Sequence, residues 1–264
     1  MLHTDAALAS STVALLHNVC ALAVMCKAPR AGKVKTRLSP PLTLEQAAHL
    51  NICFLKDTAE NIAVVIKQEQ EHAAGIVCYT PVGDEAAFDG LLPQNFSLLP
   101  QRGDGFGERL LCAVQDLLAY GFGSLCLIDS DSPTLPTAAL QAAVRALQRP
   151  GDRVVLGGSQ DGGYYLIGLK QAHARVFENI TWSTGHVLAQ TIERAAEIGI
   201  PVELLSTWYD VDDAATLAQL KTELLDGARI STVEAGYAAP NTCAYLRKLE
   251  GAAATEQDAL QVAL

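Results

Sequence analysis

"VCALAVMCKAPRAGKVKTRL", residues 19–38, decides the fold. Residues 19–25 are a short apolar run with β-branched members, bounded by a basic segment, and read as a buried strand. Directly after it come Lys27, Arg30, Lys33, Lys35 and Arg37, with no acid among them. In an open α/β sheet, ligands bind beyond the carboxyl ends of the strands. A polycationic loop in that place is therefore a candidate ligand loop, although a basic run can also be a solvated surface loop.

The rest of the chain sharpens the contrast. Its 264 residues carry a net charge of −10, and the other fourteen Lys and Arg face twenty-nine acids. A nucleic-acid binder would show a broad basic face, so the single basic segment points to a small, highly anionic ligand instead. Half of the residues are hydrophobic, which supports a substantial core and argues against disorder. Seven cysteines without a C-x-x-C pair read as buried reduced thiols of a cytoplasmic protein. The six histidines show no zinc-like spacing. The start of the chain lacks a basic n-region and reads as an N-terminal extension, 1–18, rather than a signal peptide. No apolar run approaches the roughly 20 residues that span a bilayer, so no membrane partner is expected.

Working outward, strands and helices alternate. Residues 43–67 read as a helix opened by a Thr43–Gln46 capping box, with an apolar stripe through Leu44, Ala47, Phe54, Ile62 and Val65. Strands are expected at 75–80, 124–128, 153–158, 163–169 and 201–205, and helices at 107–120, 137–148, 185–199 and 213–225. Gly121 stands just past the second helix, and Asp213 is placed to cap the last. This alternation predicts one α/β domain, 19–226, with a mostly parallel sheet and helices on both faces. Residues 227–264, rich in Ala and polar residues, read as a peripheral tail.

The basic loop is neither a Walker A motif nor a G-x-G-x-x-G fingerprint, because Gly32-Lys33 is followed by Val34 and position 27 holds Lys. What remains is Pro29 to stiffen the turn, Gly32 to let backbone approach a ligand, and five cations suited to a phosphate chain. Asp129 and Asp131 in "DSDSP" are two apart on an extended segment and point the same way. Such a pair suits Mg²⁺ or Mn²⁺ shared with phosphate oxygens, or else one of them caps the turn before Pro133. "QDGG" (160–163) is either a hairpin turn or a place where Gly162 leaves room for an acceptor that Asp161 orients or deprotonates. Asp210 and Asp212 are alternate residues that could complete the metal shell from a distant part of the chain. Ser183 or Thr184 is placed to cap the helix that follows, and Trp182 either walls a pocket or packs in the core.

Taken in order, "KAPRAGKVKTRL", "IDSDSPTLP", "GGSQDGGYYLIGL", "ITWSTG" and "YDVDDAATL" resemble the family of nucleotide-diphospho-sugar-transferase-like proteins often labelled glycosyltransferases of arsenosugar biosynthesis or selenodomain-associated transferases. The resemblance covers about residues 19–225. It implies a three-layer, Rossmann-like GT-A fold, related to molybdopterin and 2-phospho-lactate guanylyltransferases. It further implies that Lys27, Gly32, Lys33, Lys35 and Arg37 hold nucleotide phosphates, that Asp131 with Asp129 binds the metal, and that Asp210 and Asp212 supply the late metal ligand. Gly103 and Gly107 of "RGDGFGERL" (102–110) join Gly162, Trp182 and Ser183 as candidate ligand contacts. Gly105 departs from the family there, standing where an acid often precedes a Leu-Gly pair.

The leading expectation is a metal-dependent transferase with Lys33, Asp131 and Asp161 as candidate catalytic residues. Its partners would be a nucleotide sugar or nucleoside triphosphate and a small-molecule acceptor, with no nucleic acid and no membrane. Glycosyl transfer follows the family label; nucleotidylyl transfer with pyrophosphate release suits the five cations. A non-catalytic nucleotide-binding module and a domain whose basic loop contacts a partner protein are the remaining readings. A homodimer is compatible with the sequence, which does not determine the oligomeric state.

Overall fold

Strand β1 (Cys20–Lys27) is the spine of a seven-stranded sheet, parallel to β2 (Ala73–Thr80) on one side and β4 (Ser124–Ile128) on the other. Ala21, Leu22, Ala23 and Val24 are all fully buried. A strand covered on both faces needs a continuous apolar run rather than alternation, which is what residues 19–25 supply. Leu22 and Val24 join Leu50, Phe54 and Leu140 in the core on one face; Ala21 and Ala23 join Leu110, Val114 and Ile167 on the other.

The computed structural model describes residues 16–69 and 72–262; most of the expected N-terminal extension lies outside them. The remaining strands are β3 (Ser97–Pro100), β5 (Val154–Ser159), β6 (Tyr164–Leu169) and β7 (Val202–Trp208), in the order β3-β2-β1-β4-β6-β5-β7. Every pairing is parallel except those of β6, which runs antiparallel to both β4 and β5. Residues 160–163 are too few for a crossover, so "DGG" makes a hairpin and β6 reverses direction. The result is the expected α/β, mostly parallel, Rossmann-like sheet.

Six helices flank it among the described residues: α1 (Leu44–Gln68), α2 (Phe106–Tyr120), α3 (Thr137–Gln148), α4 (Val187–Glu197), α5 (Ala214–Asp226) and α6 (Pro240–Val262). The Thr43–Gln46 capping box is formed, Gly121 ends α2 in the left-handed region at φ 117°, and Asp213 caps α5. No described helix is long and apolar enough to cross a membrane.

Two elements carried no legible signal. β3 is four residues long, and α6 lies within the segment expected as a tail. α6 docks on α1 and α5, with Thr242 and Leu246 fully buried. α1 also buries polar residues outside the expected stripe: Asn61 donates to Leu135 O at 2.7 Å and accepts from Thr137 Oγ1 at 2.6 Å, and the dock of α6 explains Asp57. The Asp57 carboxylate accepts from Asn241 N at 2.9 Å, Asn241 Nδ2 at 2.8 Å and Thr242 N at 2.7 Å, so it caps α6 from a distant helix. Asp57→Ala orphans those donors and is expected to lower unfolding free energy by about 2–4 kcal/mol. Denaturant unfolding of the two proteins checks this.

Candidate active site

β1 and β4 are adjacent and parallel, with Val24 opposite Ile128, so the chain leaves both strands at the same sheet edge. The basic loop and "DSDSP" therefore face each other. Buried Val34 and Leu38 anchor the loop, and Lys35 between them takes the left-handed conformation at φ 48°. That turn sends the Lys35 side chain inward, where it is only 5% exposed.

The Lys35 ammonium joins three remote segments. Nζ lies 2.8 Å from Asp131 Oδ1 and 2.9 Å from Asp212 Oδ1, and donates to Val211 O at 2.7 Å. All three N–H donors are thereby used. Burial alone would lower the pKa of this amine, but the facing carboxylates of Asp131 and Asp212 outweigh burial and hold it above its ordinary value.

The other loop cations divide. Arg30 is drawn outward onto Asp84 at 2.5 Å. Lys27, Lys33 and Arg37 line an open cleft that Asp131 and Asp212 line as well. Arg37 is 74% exposed and lies 3.9 Å from Asp212. Gly32 is exposed at the loop's bend.

Asp129 turns back into its own loop. Its oxygens accept from Asp131 N at 3.3 Å and Ser132 Oγ at 2.9 Å, the turn-capping alternative. Burial raises its carboxyl well above the usual range and the charges of Asp131 and Asp210 add to this, against the Ser132 hydrogen bond and Lys35. Asp210 accepts from Ser159 Oγ at 2.8 Å and is also raised, by burial first and then by Asp161 and Asp212. Asp210 and Asp212 thus diverge, one toward β5 and the other toward Lys35.

A raised Asp129 pKa means that the folded state binds its proton more readily than the unfolded chain. That contribution favours folding at low pH and is lost as pH rises from the unfolded value of 3.8 through the folded one. Once ionised, the buried charge costs stability. Asp129→Asn removes this titration, and is expected to flatten the fall in stability that the wild type shows as pH rises above 3.8. A melting series of both proteins against pH reads this.

A second cavity adjoins the first and shares Met25 and Phe106 with it. Trp182 forms its wall, edge-on to Phe106 at 5.1 Å and to Tyr164 at 6.5 Å. The space at Gly107 is taken by this ring: a Cβ there would lie 2.7 Å from Trp182 Nε1. At Gly162, φ is +89° and a Cβ would meet Gly185 O at 2.3 Å, so this glycine closes the hairpin against 185. Asp161 lines the cavity and is held by Gly163 N, which donates to Oδ1 at 2.7 Å. Ser183, at φ 63°, and Thr184 also line it. Neither caps α4 as expected. His186 is the cap residue, because an intervening turn in which Thr184 Oγ1 donates to Thr181 O delays the helix.

The sequence reading missed Arg109 and Phe106, both lining the first cleft from the start of α2. Phe106 is 51% exposed at the first helical position, yet it stands four residues before Leu110 and on the same face, so in the sequence it reads as one more member of the apolar stripe. Gly103 serves Arg109, whose Nε donates to its carbonyl at 3.2 Å.

Residues 64–184 match the family model described as "Uncharacterized protein conserved in bacteria (DUF2064)". No protein of curated function matches the chain. Among solved structures, a provisional nucleotide-diphospho-sugar transferase from Desulfovibrio desulfuricans G20 is 30% identical, with a TM-score of 0.72 over 88% of this chain and 95% of that one. A cytidylyltransferase from Leptospira borgpetersenii serovar Hardjo-bovis (12% identity, TM-score 0.52, 89% and 95% covered) shares the fold. So does a CMP:2-keto-3-deoxy-manno-octonic acid synthetase complexed with CTP (11%, 0.51, 79% and 100%).

Proposed function

The chain belongs to the nucleotide-diphospho-sugar transferase-like family, and we propose that it transfers a glycosyl group from a nucleotide-diphospho-sugar with the help of Mg²⁺ or Mn²⁺. The observation that carries this reading is a single cleft lined by Lys27, Lys33 and Arg37 together with Asp131 and Asp212. Lys27 and Lys33 supply point charges to the donor phosphates, and Arg37 and Arg109 can each take two phosphate oxygens. These cations neutralise charge developing on the departing nucleoside diphosphate. Asp161, in the adjoining cavity, orients the acceptor or removes its proton.

Among the described residues, no group of three or more His, Cys, Asp and Glu side chains forms a protein-only metal cage. Asp131 and Asp212, gathered on the same Lys35, nevertheless fit a hard cation that takes one or two carboxylates and completes its shell with phosphate oxygens and water. When bound there, the cation would act as a Lewis acid on the leaving phosphate. Asp129 and Asp210 are engaged by Ser132 and Ser159 instead and are not assigned to the cation. Lys35 keeps the two carboxylates together.

A thermal-shift screen of nucleotides and nucleotide sugars, with and without Mg²⁺ or Mn²⁺, tests the reading. A donor at one hundred times its Kd should add about 2.7 kcal/mol of stability. Lys27→Ala and Lys33→Ala should weaken it, and turnover should release nucleoside diphosphate. No shift with any donor would overturn the proposal. Nucleotidylyl transfer is a second reading, favoured by the five cations Lys27, Lys33, Lys35, Arg37 and Arg109 that line the cleft; pyrophosphate release from a nucleoside triphosphate identifies it.

A further inference from the structure

We propose that the second cavity binds an acceptor with an apolar body and a net charge of zero or plus one, and rejects phosphorylated or carboxylated acceptors. This rests on the neighbouring cleft being the donor site. The charges at the two cavities are segregated. Every Lys and Arg that lines either one lines the first; the charged lining of the second is Asp129 and Asp161. An anionic acceptor would meet the Asp161 carboxylate with no Lys or Arg in the lining to offset it, and such like-charge contact costs several kcal/mol.

The wall is apolar and built. Leu110 and Ile167 line the cavity, while Phe106, Tyr164 and Trp182 stand edge to face with interplanar angles of 80°. The absent Cβ of Gly107 is what lets Trp182 sit that close to α2. Such a wall removes an apolar body from water, and its ring faces attract cations rather than anions. The polar part of the lining suits a hydroxyl or amine: it includes the anchored Asp161 carboxylate and Ser183, whose positive φ is a strained conformation for a residue with a side chain. An acceptor that arrives as a phosphate ester finds its complement only in the first cleft, where the donor phosphates would compete with it.

The test uses three probes with one apolar body: benzyl alcohol, benzyltrimethylammonium and benzyl phosphate. Each is titrated without nucleotide while Trp182 fluorescence is followed, with Trp182→Phe as the blank. The titrations are repeated in Lys33→Ala to remove phosphate held by the first cleft. The alcohol and the ammonium should bind saturably and the phosphate at least about tenfold more weakly. Asp161→Asn keeps an acceptor for Gly163 N, and should narrow the ammonium–phosphate gap severalfold. Phosphate binding as tight as the alcohol in Lys33→Ala, no saturable binding of any probe, or an unchanged gap in Asp161→Asn would each overturn the proposal. Failure of the donor reading shows separately, as a missing nucleotide thermal shift with the probe order intact.

Discussion

Replacing Asp131 with asparagine is expected to lower turnover by about 10²–10⁴-fold while leaving the protein folded. Asp131 stands where β4 ends, accepts from Lys35 Nζ at 2.8 Å and Ser130 Oγ at 3.2 Å, and faces the cleft. Asparagine is nearly isosteric and its carbonyl oxygen can still accept from Lys35. The change therefore removes a charge more than a shape. Polarisation of a leaving phosphate by a bound cation is worth several kcal/mol, and each 1.36 kcal/mol is tenfold in rate. The part of the nucleotide thermal shift that depends on Mg²⁺ or Mn²⁺ should disappear, and the part supplied by Lys27 and Lys33 should survive. Wild-type turnover in Asp131→Asn would remove the metal-bearing role from this residue.

Lys35→Met should act in the opposite order, on stability first. It takes away the ammonium between Asp131 and Asp212 and leaves two carboxylates facing each other across an apolar side chain beside Phe54. Orphaning a fully buried charge costs about 3–5 kcal/mol, but these carboxylates are 35% and 44% exposed, so water screens part of the repulsion. A loss of about 2–3 kcal/mol, or about 4–12 °C in Tm, is expected. Two further measurements tie that loss to charge rather than packing. Adding Asp212→Asn to Lys35→Met should restore part of it, a coupling read by a double-mutant cycle. Mg²⁺, which stabilises a carboxylate pair in place of the ammonium, should raise the Tm of Lys35→Met more than that of the wild type. A variant as stable as the wild type would show that Lys35 is not what gathers the two aspartates.

These two results bear on what could be read before any fold was known. The order of elements was legible because each signal is local: the apolar run of β1, the Thr43–Gln46 box, Gly121 past α2 and Asp213 before α5 act within a few residues of themselves. β3 was not, since four residues on a sheet edge carry no periodicity. Neither was α6, because what holds it is Asp57, nearly two hundred residues earlier in the chain.

The site divides the same way. That cations would follow β1 and acids would follow β4, at one sheet edge, follows from the sequence alone, since parallel neighbours release their chains on the same side. What each charge does there was decided by tertiary contacts. Five loop cations look equivalent in one dimension, yet Arg30 turns to Asp84, Lys35 turns inward between Asp131 and Asp212, and Arg109 arrives from another helix. Composition and spacing determine which charges are near the cleft; electrostatic pairing is a through-space interaction that falls with distance, so only the folded chain determines which of them remain facing it.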